Sequence, residues 1–148
     1  EKKRCYPFLK PMPKNGEETY SYFDLESITA HVIIYEDVLK KARKVLESGE
    51  LSNLHTVFGY PRGSQDEMMQ CHAYLTRDKA ESEFPPVETV FKKDSLISLH
   101  CRVKNCSCSS IMGYYPGSGN EVEICEHQTA LFLALDEGTP QTVALPWS

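Results

Sequence analysis

The chain has 148 residues, of which 41% are hydrophobic and 25% are charged. This composition is that of an ordinary globular protein, and it excludes an intrinsically disordered chain. The formal net charge of -5 offers no basic surface for DNA or RNA. No apolar run reaches the ~18–20 residues that a membrane span requires. We therefore expect one soluble domain over residues 1–148, since this length is typical of a single domain.

The cysteines are the second constraint on the class of protein. Six of them stand at positions 5, 71, 101, 106, 108 and 125. An even number in a small domain favours disulfides and an oxidising compartment, so we expect a secreted, extracellular protein with no metal site, although the pairing stays open. The alternatives are free thiols and a zinc site at Cys101, Cys106 and Cys108, joined by His100. Its spacing departs from the usual C-x2-4-C pairs of zinc sites.

The N-terminal third divides into an arm and a helical region. Residues 1–20 are polar and rich in proline, which predicts an extended arm. In the region 21–49, apolar residues alternate at spacings of three and four, and this predicts an amphipathic helix over about 24–47. Ser21 or Asp24 can cap its start, and Gly49 suits the left-handed position just past its end. One long helix or two consecutive helices both fit, because the stretch 29–35 is rich in β-branched residues.

The sequence after residue 50 is typical of short strands. Strands are predicted at 56–58, 95–103, 121–124 and 130–135, with a short helix at 77–83 that Pro85 and Pro86 terminate. Helices followed by strands indicate an α+β fold. The predicted organisation is an arm (1–20), a helical part (21–49), a β core (54–135) and a tail (136–148).

Five segments of this β core are similar, in order and spacing, to the catalytic core of a known family. They are 54–58 (first core strand), 72–79 (second motif), 103–111 (next strand and hairpin), 115–122 (turn with the catalytic glutamate) and 130–135 (following strand). Residues 54–135 thus resemble the arginine-type mono-ADP-ribosyltransferases, a secreted or surface-anchored family related to several bacterial toxins. The resemblance implies an N-terminal helix packed on a split, mostly antiparallel β core. It also implies disulfide staples, of which an end-to-end bridge would join Cys5 to Cys125.

The resemblance further implies that NAD is the substrate, and it assigns four residues to the site. Glu121 matches the catalytic glutamate, which stabilises the oxocarbenium-like transition state as nicotinamide leaves. Arg62 would pair with the NAD pyrophosphate, provided that residues 59–61 loop out. Tyr74 would stack on nicotinamide, and the Thr76 hydroxyl would order the nicotinamide-ribose pocket.

The implied function is that of a secreted mono-ADP-ribosyltransferase or NAD glycohydrolase, with NAD and a protein acceptor as partners. Gly119 stands where the arginine-modifying members carry a second glutamate, so the acceptor is open. One alternative is a catalytically dead form of the same fold that acts as a secreted binding or effector protein. The other is an unrelated small secreted α+β interaction domain.

Overall fold

The computed structural model of the chain describes residues 3–8, 24–59, 67–77, 85–104, 106 and 121–144. Within these residues the chain forms three helices and eight strands. In chain order the elements are β1 (Arg4–Cys5), α1 (Leu25–Ile28), β2 (Val32–Tyr35), α2 (Glu36–Glu47), β3 (Leu51–Gly59), β4 (Met68–Leu75), β5 (Val87–Lys92), β6 (Ser95–Cys101), β7 (Val122–Glu123), α3 (Glu126–Glu137) and β8 (Gln141–Ala144). None of these helices is long and apolar enough to cross a membrane.

The strands form two sheets. The larger has the order β6-β5-β4-β3-β8, in which the first four strands are antiparallel and β8 joins β3 in parallel. The smaller has the order β1-β2-β7, with β1 antiparallel and β7 parallel to β2. The predicted α+β class and a mostly antiparallel large sheet are therefore confirmed. The strand predicted at 56–58 lies in β3, and of the strand predicted at 95–103, residues 95–101 form β6.

The strand predicted at 130–135 is wrong, because this segment is the centre of helix α3. This helix packs against α2 on one side and against β4, β5 and β6 on the other. Every residue from His127 to Leu135 is consequently buried, so the apolar run shows no helical periodicity that would separate it from a buried strand. Alanine and leucine are strong helix formers, and the left-handed Gly138 (φ 73°) ends the helix.

The helix predicted over about 24–47 is interrupted by a strand. Asp24 caps the short α1 by accepting the N–H groups of Glu26 and Ser27. The β-branched stretch then forms β2, whose Val32 and Ile34 are buried in strand alternation. The rest of the predicted helix is confirmed as α2, and Gly49 adopts the predicted left-handed conformation with φ 72°. The prediction failed at β2 because 3/4 spacing and alternation coincide over so few residues.

The ends of the predicted organisation are partly within the described residues. Strand β1 of the arm pairs with β2, with Cys5 opposite Ile34. In the predicted tail, residues 136 and 137 end α3 and residues 141–144 form β8. The helix predicted at 77–83 falls almost wholly on residues outside the described ones.

Candidate metal centre

Three cysteines and one histidine meet where the large sheet ends and helix α3 begins. Cys101 is the last residue of β6, and Cys106 follows after a turn in which its N–H donates to the carbonyl of Val103 (3.3 Å). Cys125 is the N-cap of α3, and His127 lies in the first turn of that helix. Their four potential ligand atoms all lie within 4.8 Å of one another.

Two distances within this cluster are close to those of a tetrahedral metal site, and one of them excludes a disulfide between Cys101 and Cys106. The Sγ atoms of Cys101 and Cys106 are 4.0 Å apart, about twice the length of an S–S bond. Sγ of Cys106 is 3.4 Å from Nδ1 of His127. In a tetrahedral zinc site, bond lengths of about 2.3 Å to sulfur and about 2.0 Å to nitrogen place two sulfurs ~3.8 Å apart and a sulfur and a nitrogen ~3.5 Å apart.

The donor set identifies the metal that would fit and the type of site. Cys101 and Cys125 are each 3% exposed and His127 is 4% exposed, whereas Cys106 is half-buried. Thiolate and imidazole ligands in tetrahedral arrangement favour Zn²⁺. Four protein ligands complete the coordination of a structural zinc site, whereas a catalytic site keeps one position for water. The residues present therefore fit a structural Zn²⁺.

The start of α3 supplies favourable electrostatics for such a centre. Zn²⁺ with three thiolates carries one net negative charge, and a helix N-terminus stabilises negative charge. The N–H of Gln128 also donates to Sγ of Cys125 (3.4 Å), while the backbone carbonyl of Cys125 accepts from the Thr129 hydroxyl (2.8 Å). The position of Cys125 is thus fixed by the helix itself.

His127 is oriented by groups on both sides of its ring. Its Nδ1 faces Cys106, and its Nε2 lies 3.9 Å from a carboxylate oxygen of Glu50. Burial alone lowers the pKa of His127, but the hydrogen bond and charge of Cys125, with the charges of Glu126 and Glu50, raise this pKa above its usual value. An arrangement in which Nδ1 binds the metal and Nε2–H faces a carboxylate is common among zinc-bound histidines.

The disulfide prediction is wrong for the five cysteines that the structure describes. No pair among the five described cysteines is at bonding distance, so the described residues contain no disulfide staple and no Cys5–Cys125 bridge. Cys71 lies in β4 away from the cluster, and burial raises the pKa of its thiol to about 12. Cys108 lies outside the described residues. An even number of cysteines favours bridges, but the count does not show which cysteines meet in the fold.

The cluster also differs from the zinc alternative drawn from the sequence. Cys101 and Cys106 belong to both sets, whereas Cys125 and His127 were not assigned to a metal. His100 precedes Cys101 in β6, so its side chain points to the other face of the sheet. The sequence pattern that would have indicated these two ligands is Cys125-Glu126-His127. At the start of a helix, a cysteine and a histidine separated by one residue can both point to one metal ion.

The residues assigned to NAD are divided between the two sheets. Glu121 directly precedes β7 of the small sheet, and one of its carboxylate oxygens lies 2.7 Å from a guanidinium nitrogen of Arg4. Tyr74 lies in β4 of the large sheet, where its ring packs edge-on against His72. The Thr76 hydroxyl donates to the carbonyl of Gly49 (2.5 Å). Arg62 lies outside the described residues.

Comparisons with protein-family models, with curated proteins and with solved structures find no match for this chain.

Proposed function

We propose that the chain is a zinc-binding domain in which one structural Zn²⁺ is held by Cys101, Cys106, Cys125 and His127. The observation that carries this proposal is the convergence of four ligand atoms within 4.8 Å, three of them from buried residues. Two separate stretches of the chain, 101–106 and 125–127, supply these atoms. Zinc supplies no redox chemistry here and serves as a crosslink.

The position of the cluster indicates what this crosslink does. One pair of ligands belongs to the end of β6 and the turn after it, and the other pair to the first turn of α3. Helix α3 fills the space between α2 and the large sheet. Zinc would therefore fasten the central helix of the core to the sheet beneath it. In this arrangement the rigidity of the core would depend on the metal.

Metal analysis of the purified chain tests the proposal. We expect one zinc per chain by elemental mass spectrometry, and loss of that zinc in Cys125→Ser and in His127→Ala. The matched control is Cys5→Ser, since Cys5 is half-buried in β1 and outside the cluster. Cys101→Ser should lose zinc and Cys108→Ser should keep it, and the reverse result would assign the third thiolate to Cys108. If wild-type protein contains no zinc after it has been purified in the presence of zinc, the proposal is refuted.

The NAD-consuming activity is a second, independent proposal. Its support is the order of the four motifs between residues 54 and 122, since the fifth segment, 130–135, is part of helix α3 and does not match the family's strand. The structure adds a cation, Arg4, beside Glu121. Arg4 lines an open groove with Cys5 and Tyr6, and a guanidinium is the group that a pyrophosphate would need. Arg4 is, however, already hydrogen-bonded to the carboxylate of Glu121, so the ribose would have to displace Arg4 from that carboxylate. The expected secretion remains a prediction that no longer rests on disulfides among the described cysteines.

A further inference from the structure

Gln128 is a polar side chain that lies completely buried beside the metal cluster. It is 0% exposed, and burial of an amide is costly unless its donors and acceptor are bonded. Here all three are. Its Oε1 accepts from the Thr89 hydroxyl (2.6 Å), and its Nε2 donates to the carbonyls of His100 (2.7 Å) and Glu88 (3.0 Å).

These bonds connect the two halves of the metal cluster. Gln128 follows His127 directly, and its backbone N–H donates to Sγ of Cys125. The carbonyl of His100, to which its side chain donates, belongs to the residue directly before Cys101 in β6. Gln128 thus contacts Cys125 through its backbone N–H, and it contacts His100, the residue before Cys101, through its side chain.

The second carbonyl makes this connection rigid. Glu88 and His100 are cross-strand partners in β5 and β6, so the amide of Gln128 spans a fixed pair of acceptors. A single hydrogen bond would allow the helix to pivot about it. Two donors on one planar amide, with Thr89 on the oxygen, hold the first turn of α3 in one orientation over the sheet.

We propose that Gln128 is a positioning residue for the zinc site, which sets the distance between Cys101 and the Cys125/His127 pair before the metal binds. This inference rests on the proposed zinc site. Gln128 touches no metal, and it acts by holding the ligands at tetrahedral spacing. Zinc therefore binds without having to order the helix terminus against the sheet.

Two variants separate positioning from support of the core. Gln128→Met keeps the length and volume of the side chain and removes both donors and the acceptor. Thr89→Val removes only the hydroxyl that donates to Oε1 and leaves the amide bridge to His100 and Glu88. Both variants remove buried hydrogen bonds, so both should lower the melting temperature of the metal-free chain. Only Gln128→Met should disturb the ligands.

The experiment is a competition titration of the full chain with a chromophoric zinc chelator, together with the absorption spectrum of the Co²⁺-substituted protein. We expect the zinc dissociation constant of Gln128→Met to rise about 10–100-fold, as for other residues that orient ligands. Its tetrahedral Co²⁺ bands should broaden. Thr89→Val should keep the wild-type spectrum and a dissociation constant within about 3-fold of wild type. A wild-type constant and spectrum in Gln128→Met would overturn the inference.

A measurement on wild-type protein decides the matter if Gln128→Met does not fold. In metal-free wild-type chain, hydrogen exchange should find the amides of Gln128 and Cys101 still protected, because the bridge does not need the metal. Rapid exchange at both amides, with the rest of β5 and β6 protected, would overturn the inference. If the wild-type chain binds no zinc, the proposed function fails, and the exchange result still tests the bridge separately.

Discussion

Cys125→Ser separates the role of Cys125 as a zinc ligand from its role at the start of α3. The thiol of Cys125 is the N-cap of the helix, where it accepts the N–H of Gln128. Serine is among the best N-cap residues, so its hydroxyl can take over that hydrogen bond. A neutral hydroxyl is a poor zinc ligand beside a thiolate. The substitution should therefore remove the metal and leave the helix capped.

The size of the effect follows from linkage between zinc binding and folding. With free zinc at 100 times the dissociation constant, binding raises the free energy of unfolding by about 2.7 kcal/mol. For a chain of this length each kcal/mol shifts the melting temperature by roughly 2–4 °C, so zinc should raise that of the wild type by about 5–11 °C. Cys125→Ser should show no zinc-dependent rise. In the presence of a chelator the two proteins should melt within about 4 °C of each other, because the cap is preserved.

Calorimetry of both proteins, with zinc and with chelator, measures these four melting temperatures. Cys5→Ser is the control, and it should retain the full zinc-dependent rise. The reasoning is refuted if Cys125→Ser keeps the wild-type rise. It is also refuted if the wild type melts at the same temperature with zinc and with chelator.

Three further substitutions test other parts of the account. Glu50→Gln should weaken zinc binding by less than the roughly 10-fold that a close ligand partner contributes, since its carboxylate lies 3.9 Å from Nε2 of His127 and is 37% exposed. Burial, with the charge of His55, lowers the pKa of His72 below 6.5, so the unfolded chain takes up a proton first and stability falls as pH drops below about 6.5. His72→Gln, studied with chelator, should lessen that fall. If the chain consumes NAD, Glu121→Gln should reduce nicotinamide release about 10²–10³-fold.

Each of these predictions has a contradicting result. A zinc affinity of Glu50→Gln equal to that of wild type would show that the carboxylate does not orient His127. An unchanged difference in melting temperature between about pH 7.5 and about pH 5.5 in His72→Gln would place the pH dependence elsewhere. Activity that survives Glu121→Gln would move the NAD site away from Glu121, and no release by the wild type would remove the NAD proposal.

The sequence predicted those elements whose periodicity is set by one exposed and one buried face. Helix α2 and strand β6 were found in this way, because each alternates between core and solvent. Helix α3 was not, because it is buried on all sides by α2 and the large sheet and its sequence shows no polar face. Strand β2 was missed because four residues are too few to separate alternation from helical spacing.

The metal cluster could not be predicted from spacing alone. Cys101 and Cys125 are far apart in the sequence, and only the packing of α3 on β5 and β6 brings them together. At that contact the buried amide of Gln128 donates to carbonyls of β5 and β6, and no motif in the sequence marks this residue. The sequence did supply the half of the set formed by Cys101 and Cys106.

X-ray absorption at the zinc edge of the purified chain tests the central claim most directly, because it measures the ligand atoms themselves. The cluster predicts a first shell of three sulfurs at about 2.3 Å and one nitrogen at about 2.0–2.1 Å, and in Cys125→Ser that shell should be lost with the zinc. A first shell of oxygen and nitrogen only, in zinc-loaded wild-type protein, would contradict the assignment of Cys101, Cys106, Cys125 and His127.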